Sequence, residues 1–386
     1  MTGRPGKPAT PRELNRATLA RQLLLQREAL EVDDAVRRVV ALQAQEAASP
    51  YLALWNRIED FDPRDLDTAF ADRSLVKATL LRITLHAVHA DDHPVIHDAM
   101  QPTLRAARLN GRFLASGLTV ADADALVPEV LAFAAEPRTT PEVEEWLTER
   151  LGAAPKPAVW RALRSYAPLS HSPTGGPWSF GQRPSFEAAR VRPPVDAWKK
   201  TATESLGTLI RRYLEGFGPA SVADMAQFAT VQRHRVRDAL GTISDTLLQV
   251  EGPGGTALFD VPGAPRPSED TPAPPRLLPM WDSVLLAYAD RSRVIPEDFR
   301  TLVARSNGDV LPAMLVDGYV AGVWRPVDGG IEATAFRRLP DEVWSELAIE
   351  AKRLLAFLAE RESRVYRRYD RWWTELPAAQ ARVLPD

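Results

Sequence analysis

Ser221-Val222-Ala223-Asp224 begins the most informative segment of this chain, because a Ser followed three residues later by Asp forms a capping box that starts a helix. A second helical stretch, rich in Arg, follows at residues 232–240. Two β-like runs at 246–250 and 257–261 flank the turn Gly252-Pro253-Gly254-Gly255. Two helices followed by a β-hairpin are typical of a winged helix, which usually presents its second helix or its hairpin to a nucleic-acid groove.

The same order of patterns occurs upstream of this segment. Residues 122–135 are helical, Thr140-Pro141-Glu142 starts a capped helix, and residues 157–165 form a candidate recognition helix that carries Arg161 and Arg164. Strands at 167–172 and 178–182, joined by a Gly-rich turn, complete this unit. Repetition of one unit makes the pattern unlikely to be chance, and nucleic acid becomes the leading partner.

The first hundred residues fit a third copy of this unit. Residues 14–30 have helical periodicity, and Asp33-Asp34 starts a second helix. Ser49-Pro50 is expected to end that helix or bend it, since the residue before Pro avoids helical geometry. Asp62-Pro63 caps a further helix, and residues 80–89 are predicted as a strand.

The C-terminal part alternates short β-like runs. They lie at 284–288, 313–316, 319–324 and 332–336, and Asp317-Gly318 is a strong hairpin turn between the second and third of them. A long amphipathic helix at 340–358 would pack on this sheet.

The predicted fold class is therefore α+β, with three tandem winged-helix units and a C-terminal β-rich domain that includes the long helix. Loop-like composition predicts linkers at residues 190–194 and 263–275. We expect four consecutive domains: unit one at 10–118, unit two at 119–189, unit three at 202–263 and the β-rich domain at 276–373.

Composition excludes several classes of protein. The 386 residues are 45% hydrophobic and 26% charged, as in ordinary globular proteins, and no apolar run approaches the ~18 residues that span a bilayer. The N-terminus lacks the apolar stretch of a signal peptide, so we expect a cytoplasmic, nucleoid-associated protein without a membrane partner. The absence of Cys excludes disulfides, zinc fingers and thiol catalysis.

The basic residues are almost entirely Arg. The net charge is only −3, yet 42 of the 48 basic residues are Arg, which is suited to bidentate contact with phosphate and guanine. A GC-rich coding sequence would also produce many Arg residues. Their placement must decide between the two explanations, because a segregated basic face can bind DNA on a nearly neutral protein.

Gln43-Ala44-Gln45 places two amides two residues apart beside a predicted helix end. In a continuous helix these side chains would point about 200° apart, so they can face one site only if the backbone leaves helical geometry near Gln45. The alternative is that both are ordinary surface glutamines.

Four histidines, His86, His89, His93 and His97, have a spacing that resembles a metal site. The predicted strand and helix divide them, and His86 and His89 would point to opposite faces of the strand. We therefore predict no metal and no cofactor, although a single histidine such as His86 could contact phosphate or substrate.

Three groups of basic residues are candidates for DNA contact. Arg233, Arg235 and Arg237 lie on the recognition-like helix, where the alternative is a solvated helical face. Arg291 and Arg293 lie on a loop, which Asp290 could instead stabilise as a structural turn. The tail after Arg361 interleaves Arg with Tyr and Trp, a pattern that suits nucleic acid or docking of the tail against the body.

Several runs together carry a resemblance to a known family. They are Leu42-Gln43-Ala44-Gln45, Ile83-Thr84-Leu85-His86, Ile210-Arg211-Arg212-Tyr213-Leu214, Phe217-Gly218-Pro219-Ala220 and Leu286-Ala287-Tyr288-Ala289-Asp290-Arg291-Ser292-Arg293. In these runs the chain resembles the AlkZ-type winged-helix DNA glycosylases, from about residue 14 to residue 358.

The resemblance implies both a fold and an activity. It implies a C-shaped clamp on duplex DNA, built from three winged helices and a β-rich domain, that excises N7-alkylated purines and, in several members, bulky adducts or interstrand crosslinks. The family's catalytic pair is Gln-x-Gln or Gln-x-Asp, and Gln43 and Gln45 match the first form. Since one chain can form such a clamp, we expect a monomer.

Two other classes of protein remain open from the sequence. A winged-helix transcriptional regulator would bind undamaged DNA at a specific sequence and release no base. A metallohydrolase would use the four histidines, which metal analysis of the purified protein would detect.

Overall fold

The computed structural model describes residues 8–153, 157–189 and 198–385, and the predicted linker at 190–194 lies outside them. The α-helices of this described part are α1 Pro11–Arg21, α2 Val32–Val39, α3 Ser49–Trp55, α4 Pro63–Ala71, α5 His93–Arg108, α6 Gly111–Leu114, α7 Val120–Phe133, α8 Thr140–Leu151, α9 Pro157–Tyr166, α10 Trp198–Phe217, α11 Val222–Ala229, α12 Arg233–Ile243, α13 Arg300–Val303 and α14 Asp341–Ala359. No helix in the described ranges is long and apolar enough to cross a membrane.

The strands are short and pair mainly in antiparallel fashion, which confirms the predicted α+β class. They are β1 Leu42–Gln43, β2 Leu75–Thr79, β3 Leu85–His89, β4 Arg138–Thr139, β5 Leu169–Ser172, β6 Ser185–Ala188, β7 Leu248–Glu251, β8 Ala257–Asp260, β9 Arg276–Leu277, β10 Ala313–Val316, β11 Tyr319–Val327, β12 Gly330–Ala335 and β13 Gln380–Leu384.

The chain divides into two compact units that interleave in sequence. Unit 1 comprises Met1–Asp62, Tyr213–Phe228 and Asp245–Asp386, and unit 2 comprises Pro63–Arg212 and Ala229–Ser244. The four consecutive domains expected from the sequence stay a prediction.

Unit 1 contains a five-stranded antiparallel sheet in the order β13-β12-β11-β10-β9. Asp317 and Gly318 both have positive φ, 52° and 80°, so the predicted tight turn between β10 and β11 is confirmed. The predicted helix at 340–358 is also confirmed as α14, which buries Trp344, Leu347 and Leu354. The tail adds β13 to the sheet, a strand that the sequence did not indicate.

The first predicted run of the β-rich domain is not a strand. Residues Ser283–Leu285 form a 3-10 turn, whose N-cap Asp282 accepts a hydrogen bond from the backbone N–H of Val284 at 3.1 Å. Every residue of the apolar run 284–288 is buried. An apolar run indicates burial, but it does not distinguish a strand from a turn packed in the core.

Helix α1 ends nine residues before the predicted helix end at residue 30. Arg21, in its last turn, forms a buried bidentate ion pair with Asp260, with N–O distances of 2.7 and 3.0 Å. Leu23 then has a positive φ of 56°. Tertiary pairing of Arg21 and the left-handed backbone at Leu23 thus end a helix that periodicity alone would continue.

Unit 2 contains an antiparallel sheet in which β3, β2, β5, β6 and β4 are neighbours in that order. The predicted strand at 80–89 is only half correct, because the 3-10 turn Leu81–Ile83 interrupts it and Arg82 and Ile83 have positive φ. The predicted strand at 178–182 is wrong. The second strand is β6, and residue Ser179 instead adopts a positive φ and donates its hydroxyl to Asp67 at 2.6 Å.

The segment from Ser221 contains helix α11, helix α12 and the hairpin β7-β8 in the predicted order. The capping box is present, since Asp224 accepts the backbone N–H of Ser221 at 2.9 Å and donates its own N–H to the Ser221 hydroxyl at 3.2 Å. The arrangement of these elements as a winged helix stays a prediction.

Candidate active site around Gln43 and Gln45

Gln43 and Gln45 lie on a non-helical stretch between two helices of unit 1. Helix α2 ends at Val39, and Val40 has a positive φ of 76°, which is incompatible with a continuing helix. The backbone runs through β1 and an irregular turn until α3 begins at Ser49. Ser49-Pro50 therefore starts a helix, where Pro is well tolerated, and does not end one as predicted.

The two glutamines differ in what their side chains do. The Oε1 of Gln43 accepts a hydrogen bond from the backbone N–H of Gln45 at 2.7 Å, and the Gln43 residue is only 4% exposed. Gln45 is exposed, and its amide makes no hydrogen bond to any residue that the structure describes. One glutamine thus holds the loop, and the other presents its amide to solvent.

The stretch is hydrogen-bonded to a buried part of unit 1. The Ser283 hydroxyl donates to the carbonyl oxygen of Ala41 at 2.9 Å, which ties the start of β1 to the 3-10 turn Ser283–Leu285. Asp282, the residue before Ser283, forms a bidentate ion pair with Arg57, with N–O distances of 2.8 and 2.9 Å. Both side chains are at most 1% exposed.

Glu46 is a site residue that the sequence reasoning missed. Its carboxylate forms an ion pair with Arg368 and accepts the Tyr369 hydroxyl at 3.0 Å. Two features of the sequence could have indicated this contact. An acidic residue directly follows the Gln-x-Gln run, and the C-terminal tail is rich in Arg and aromatic residues that can bind a carboxylate. The tail therefore docks on the body at Tyr369.

Two phenols of the tail contact this stretch and keep their protons. The Tyr366 and Ser49 hydroxyls are 3.0 Å apart, and burial raises the pKa of Tyr366. Burial also raises the pKa of Tyr369, and the nearby Glu46 carboxylate adds to the effect. Both groups are donors at any physiological pH, so neither supplies a base.

The predicted DNA-contacting residues of unit 1 are Arg291 and Arg293. They begin and end a 3-10 turn whose N-cap Asp290 accepts the Ser292 N–H, as the turn alternative expected. Arg293 donates to the carbonyl oxygen of Pro219 at 2.8 Å and lies 4.2 Å from the centre of the Tyr288 ring. Arg291 is half-buried, and desolvation followed by repulsion from Arg300 lowers its pKa.

Unit 2 carries the other predicted contacts. Arg233 and Arg237 are exposed on α12. Arg235 is half-buried, its guanidinium lies 3.4 Å from the carbonyl oxygen of Ala99, and burial lowers its pKa. Of these three residues, the two on the outer face of the helix are placed to reach a ligand.

His86 is enclosed in unit 2. The residue is fully buried, its Nδ1–H donates to the Thr84 carbonyl at 3.1 Å, and its Nε2 accepts from Arg82 at 2.9 Å. Burial, and then the charge of Arg82, lowers the pKa of this ring, which keeps it neutral. Because both ring nitrogens already have hydrogen-bond partners, the prediction that His86 contacts DNA is wrong. Within the described ranges no group of His, Cys, Asp and Glu side chains could hold a metal ion.

A family model, a curated relative and a solved structure that match this chain all carry the name of a DNA glycosylase. The family model "DNA glycosylase AlkZ-like" matches residues 36–357, a range that includes both Gln43 and Gln45. A curated relative from Streptomyces sahachiroi, an "Interstrand DNA cross-link repair glycosylase", is 27% identical over 353 residues, which cover 83% of this chain and 90% of the relative. The solved structure "Streptomyces sahachiroi DNA glycosylase AlkZ" has a TM-score of 0.74 and 24% identity, and the match covers 93% of this chain and 98% of that one.

Proposed function

Because this chain belongs to the AlkZ-like family of DNA glycosylases, enzymes that hydrolyse the N-glycosidic bond between a base and its deoxyribose, we propose that it releases N7-alkylated purines and that Gln43 and Gln45 position the attacking water. One observation carries the proposal. A single non-helical loop holds the Gln43 amide in a hydrogen bond and exposes the Gln45 amide to solvent.

The chemistry suits a substrate that is already activated. An N7-alkylpurine carries a positive charge, and when its C1′–N9 bond breaks the electron pair neutralises the departing base. The sugar becomes oxocarbenium-like, water adds its oxygen to C1′, and the water's second proton passes to solvent. No strong general acid is needed, so uncharged side chains suffice.

Each glutamine has a separate role in this proposal. The Gln43 Oε1 accepts the Gln45 N–H and so fixes the loop that carries the second amide. The Gln45 carbonyl oxygen would accept a hydrogen bond from the attacking water and place partial negative charge near the developing cation. Preorganised dipoles of this kind are worth about 10²–10³ in rate when one is removed from an enzyme site.

Glu46 is a positioning residue in this scheme. It anchors the loop beyond Gln45 to the C-terminal tail through Arg368 and Tyr369. The ion pair with Arg368 offsets the carboxylate's negative charge.

The loop favours attack on a lesion that stays outside an enclosed pocket. The small space beside Gln43, which Leu42, Ser49 and Met280 help to line, has no room for even a water molecule. Ligand pockets usually exceed about 300 Å³, and a base flipped into such a cavity would need comparable room. A bulky adduct or an interstrand crosslink, the lesion named for the Streptomyces sahachiroi relative, would suit this open geometry.

The proposed partner is double-stranded DNA that carries alkylated purines, bound by a monomer. Arg233 and Arg237 of unit 2 and Arg291 of unit 1 are exposed or half-exposed and are the proposed contacts. We propose that Arg235 and Arg293 support them, because both already have protein partners.

The test is release of N7-methylguanine from a duplex that contains it, measured as abasic-site formation. Gln43→Ala/Gln45→Ala should lose base release while it still binds the duplex. Equal release by the double variant and the native protein would reject this site. Tight binding to one undamaged sequence, without any base release, would favour a transcriptional regulator.

A further inference from the structure

A cleft in unit 2 is lined by arginines, and none of the described residues that line it is acidic. The cleft has a volume of about 260 Å³ and lies between the end of α5, helix α6 and the start of α9. Arg108, Arg112 and Arg161 contribute its charges, and the rest of the lining is Ala107, Asn110, Phe113, Pro157, Ala158 and Ala162.

These arginines lack the counter-charges that other arginines of the protein have. Neither Arg112 nor Arg161 has an ion-pair partner among the residues that the structure describes. The recorded hydrogen bond of Arg108 goes to the Ser165 hydroxyl at 3.1 Å. By contrast, Arg105, only one helical turn away on α5, pairs with Asp124 at 2.5 Å and lies 5.1 Å from the centre of the Tyr166 ring.

The positive charges also repel one another. Burial lowers the pKa of Arg108, and the charges of Arg161 and then Arg164 lower it further. The pKa of Arg164 is lowered in the same way, by burial first and then by Arg161, against a smaller opposing effect of Glu144. Arginines that lower one another's pKa in this way have an unfavourable mutual repulsion, which a bound anion would relieve.

We propose that this cleft binds a phosphodiester of the DNA backbone. Guanidinium groups match phosphate oxygens with bidentate geometry, and the cleft's volume suits one phosphate rather than an extended ligand. Its lining offers no aromatic ring to a base, apart from the buried Phe113. The phosphate interaction therefore sets the register of the protein on DNA and reads no sequence. This inference rests on the proposed action on duplex DNA.

The test compares two double variants that each remove two positive charges from unit 2. Arg112→Ala/Arg161→Ala removes exposed arginines of the cleft. Arg73→Ala/Arg150→Ala is the matched control, since each of those arginines is already paired with a carboxylate, Glu187 or Glu129. Affinity for undamaged duplex is measured by fluorescence anisotropy over a series of KCl concentrations.

The cleft variant should bind duplex more weakly, and the slope of log affinity against log salt should fall by about one for each phosphate that the variant no longer binds. The control should keep the native slope. Single-turnover base release should be unchanged in the control variant, whereas Gln45→Ala should slow it about 10²-fold or more and keep the native salt slope. A failure of the cleft proposal is therefore distinguishable from a failure of the proposed catalytic site.

Two results would overturn the proposal. One is a salt dependence that does not distinguish the two variants. The slope would then be native in both, or it would decrease equally in both through a general effect of charge. The other is stabilisation of the native protein, and not of the cleft variant, by inorganic phosphate while both bind duplex alike. That outcome would assign the cleft to a free phosphate.

Discussion

The side-chain oxygen of Gln43 accepts a hydrogen bond from the backbone N–H of Gln45 at 2.7 Å. This hydrogen bond connects the two members of the motif through the backbone and not through their amides. It leaves the exposed Gln45 amide to face solvent. Substitutions of the two glutamines should therefore have different effects on base release and on the stability of the protein.

Gln45→Ala should slow base release about 10²-fold or more without changing the free energy of unfolding, because an exposed amide without partners contributes little to stability. Gln43→Ala should slow release as well and also destabilise the protein by about 1–2 kcal/mol, since it removes a buried hydrogen bond. Single-turnover release of N7-methylguanine and urea unfolding measure the two effects. Gln43→Glu is the control for the loop hydrogen bond, because a carboxylate oxygen can still accept the Gln45 N–H. If Gln45→Ala proved destabilising and catalytically normal, the division of roles would be wrong.

Base release should depend little on pH between about 6 and 9. Amides do not titrate, and burial raises the pKa of both Tyr366 and Tyr369, so these phenols stay protonated. A bell-shaped rate profile in this range, with native DNA binding, would indicate a titrating catalytic group that the proposal lacks.

The same tyrosines predict a loss of stability in alkali. In the unfolded chain a tyrosine releases its proton above about pH 10, whereas the folded protein keeps it because the pKa is raised. The stabilising contribution is therefore complete below about pH 10 and declines as the pH rises further. Tyr366→Phe should make the decline shallower, and urea titrations at several alkaline pH values would detect this. An unchanged decline in the variant would argue against buried, protonated Tyr366.

Unit 2 should lose stability in acid. Burial lowers the pKa of His93 and of His171 to about 3, with smaller effects of His97 on the first ring and of Lys77 and Arg164 on the second. An unfolded histidine binds a proton below about pH 6.5, whereas these two rings stay neutral in the folded protein. The free energy of unfolding should therefore fall by about 1.4 kcal/mol per pH unit for each histidine as the pH decreases from about 6.5 towards 3. His93→Phe should remove one such contribution, which denaturant unfolding at pH 7, 6, 5 and 4 would measure. An identical acid slope in His93→Phe would contradict the buried neutral ring.

The buried Arg57–Asp282 ion pair should be essential for stability. Asp282→Ala leaves a buried guanidinium without its counter-charge and should cost about 3–5 kcal/mol. Asp328→Ala is the matched surface control, because the Arg364–Asp328 pair is exposed and should contribute at most about 1 kcal/mol. Chemical denaturation of both variants is the measurement, and similar losses in the two would mean that burial does not strengthen the inner pair.

Local chemistry predicted several elements correctly. Pro63 begins α4 after Asp62, Ser221 and Asp224 form the capping box, and Asp317-Gly318 makes the tight turn. In each case a few neighbouring residues set the backbone conformation by capping, by the fixed φ of Pro or by a left-handed backbone. Such effects do not depend on distant parts of the chain.

The errors arose where distant residues decide the conformation. The apolar run 284–288 begins in the 3-10 turn Ser283–Leu285 because Asp282 both caps that turn and pairs with Arg57, which lies far away in the sequence. Residue Glu46 acquired its role only when a tail more than three hundred residues later docked beside it. His86 was predicted as a possible contact to phosphate or substrate, and packing of unit 2 buries it completely.

By itself, the sequence determined the α+β class, the order of most helices and hairpins, and the Gln-x-Gln motif with its resemblance to a glycosylase family. The class and the elements follow from short-range periodicity, capping and residue chemistry, whereas the family is a resemblance carried by particular runs of residues. Only the tertiary structure decided that Gln43 is hydrogen-bonded and Gln45 exposed, that Glu46 is paired, and that arginines line a unit 2 cleft whose described lining contains no acid. Burial and charge proximity arise from packing between distant segments, and such packing exists only once the chain has folded.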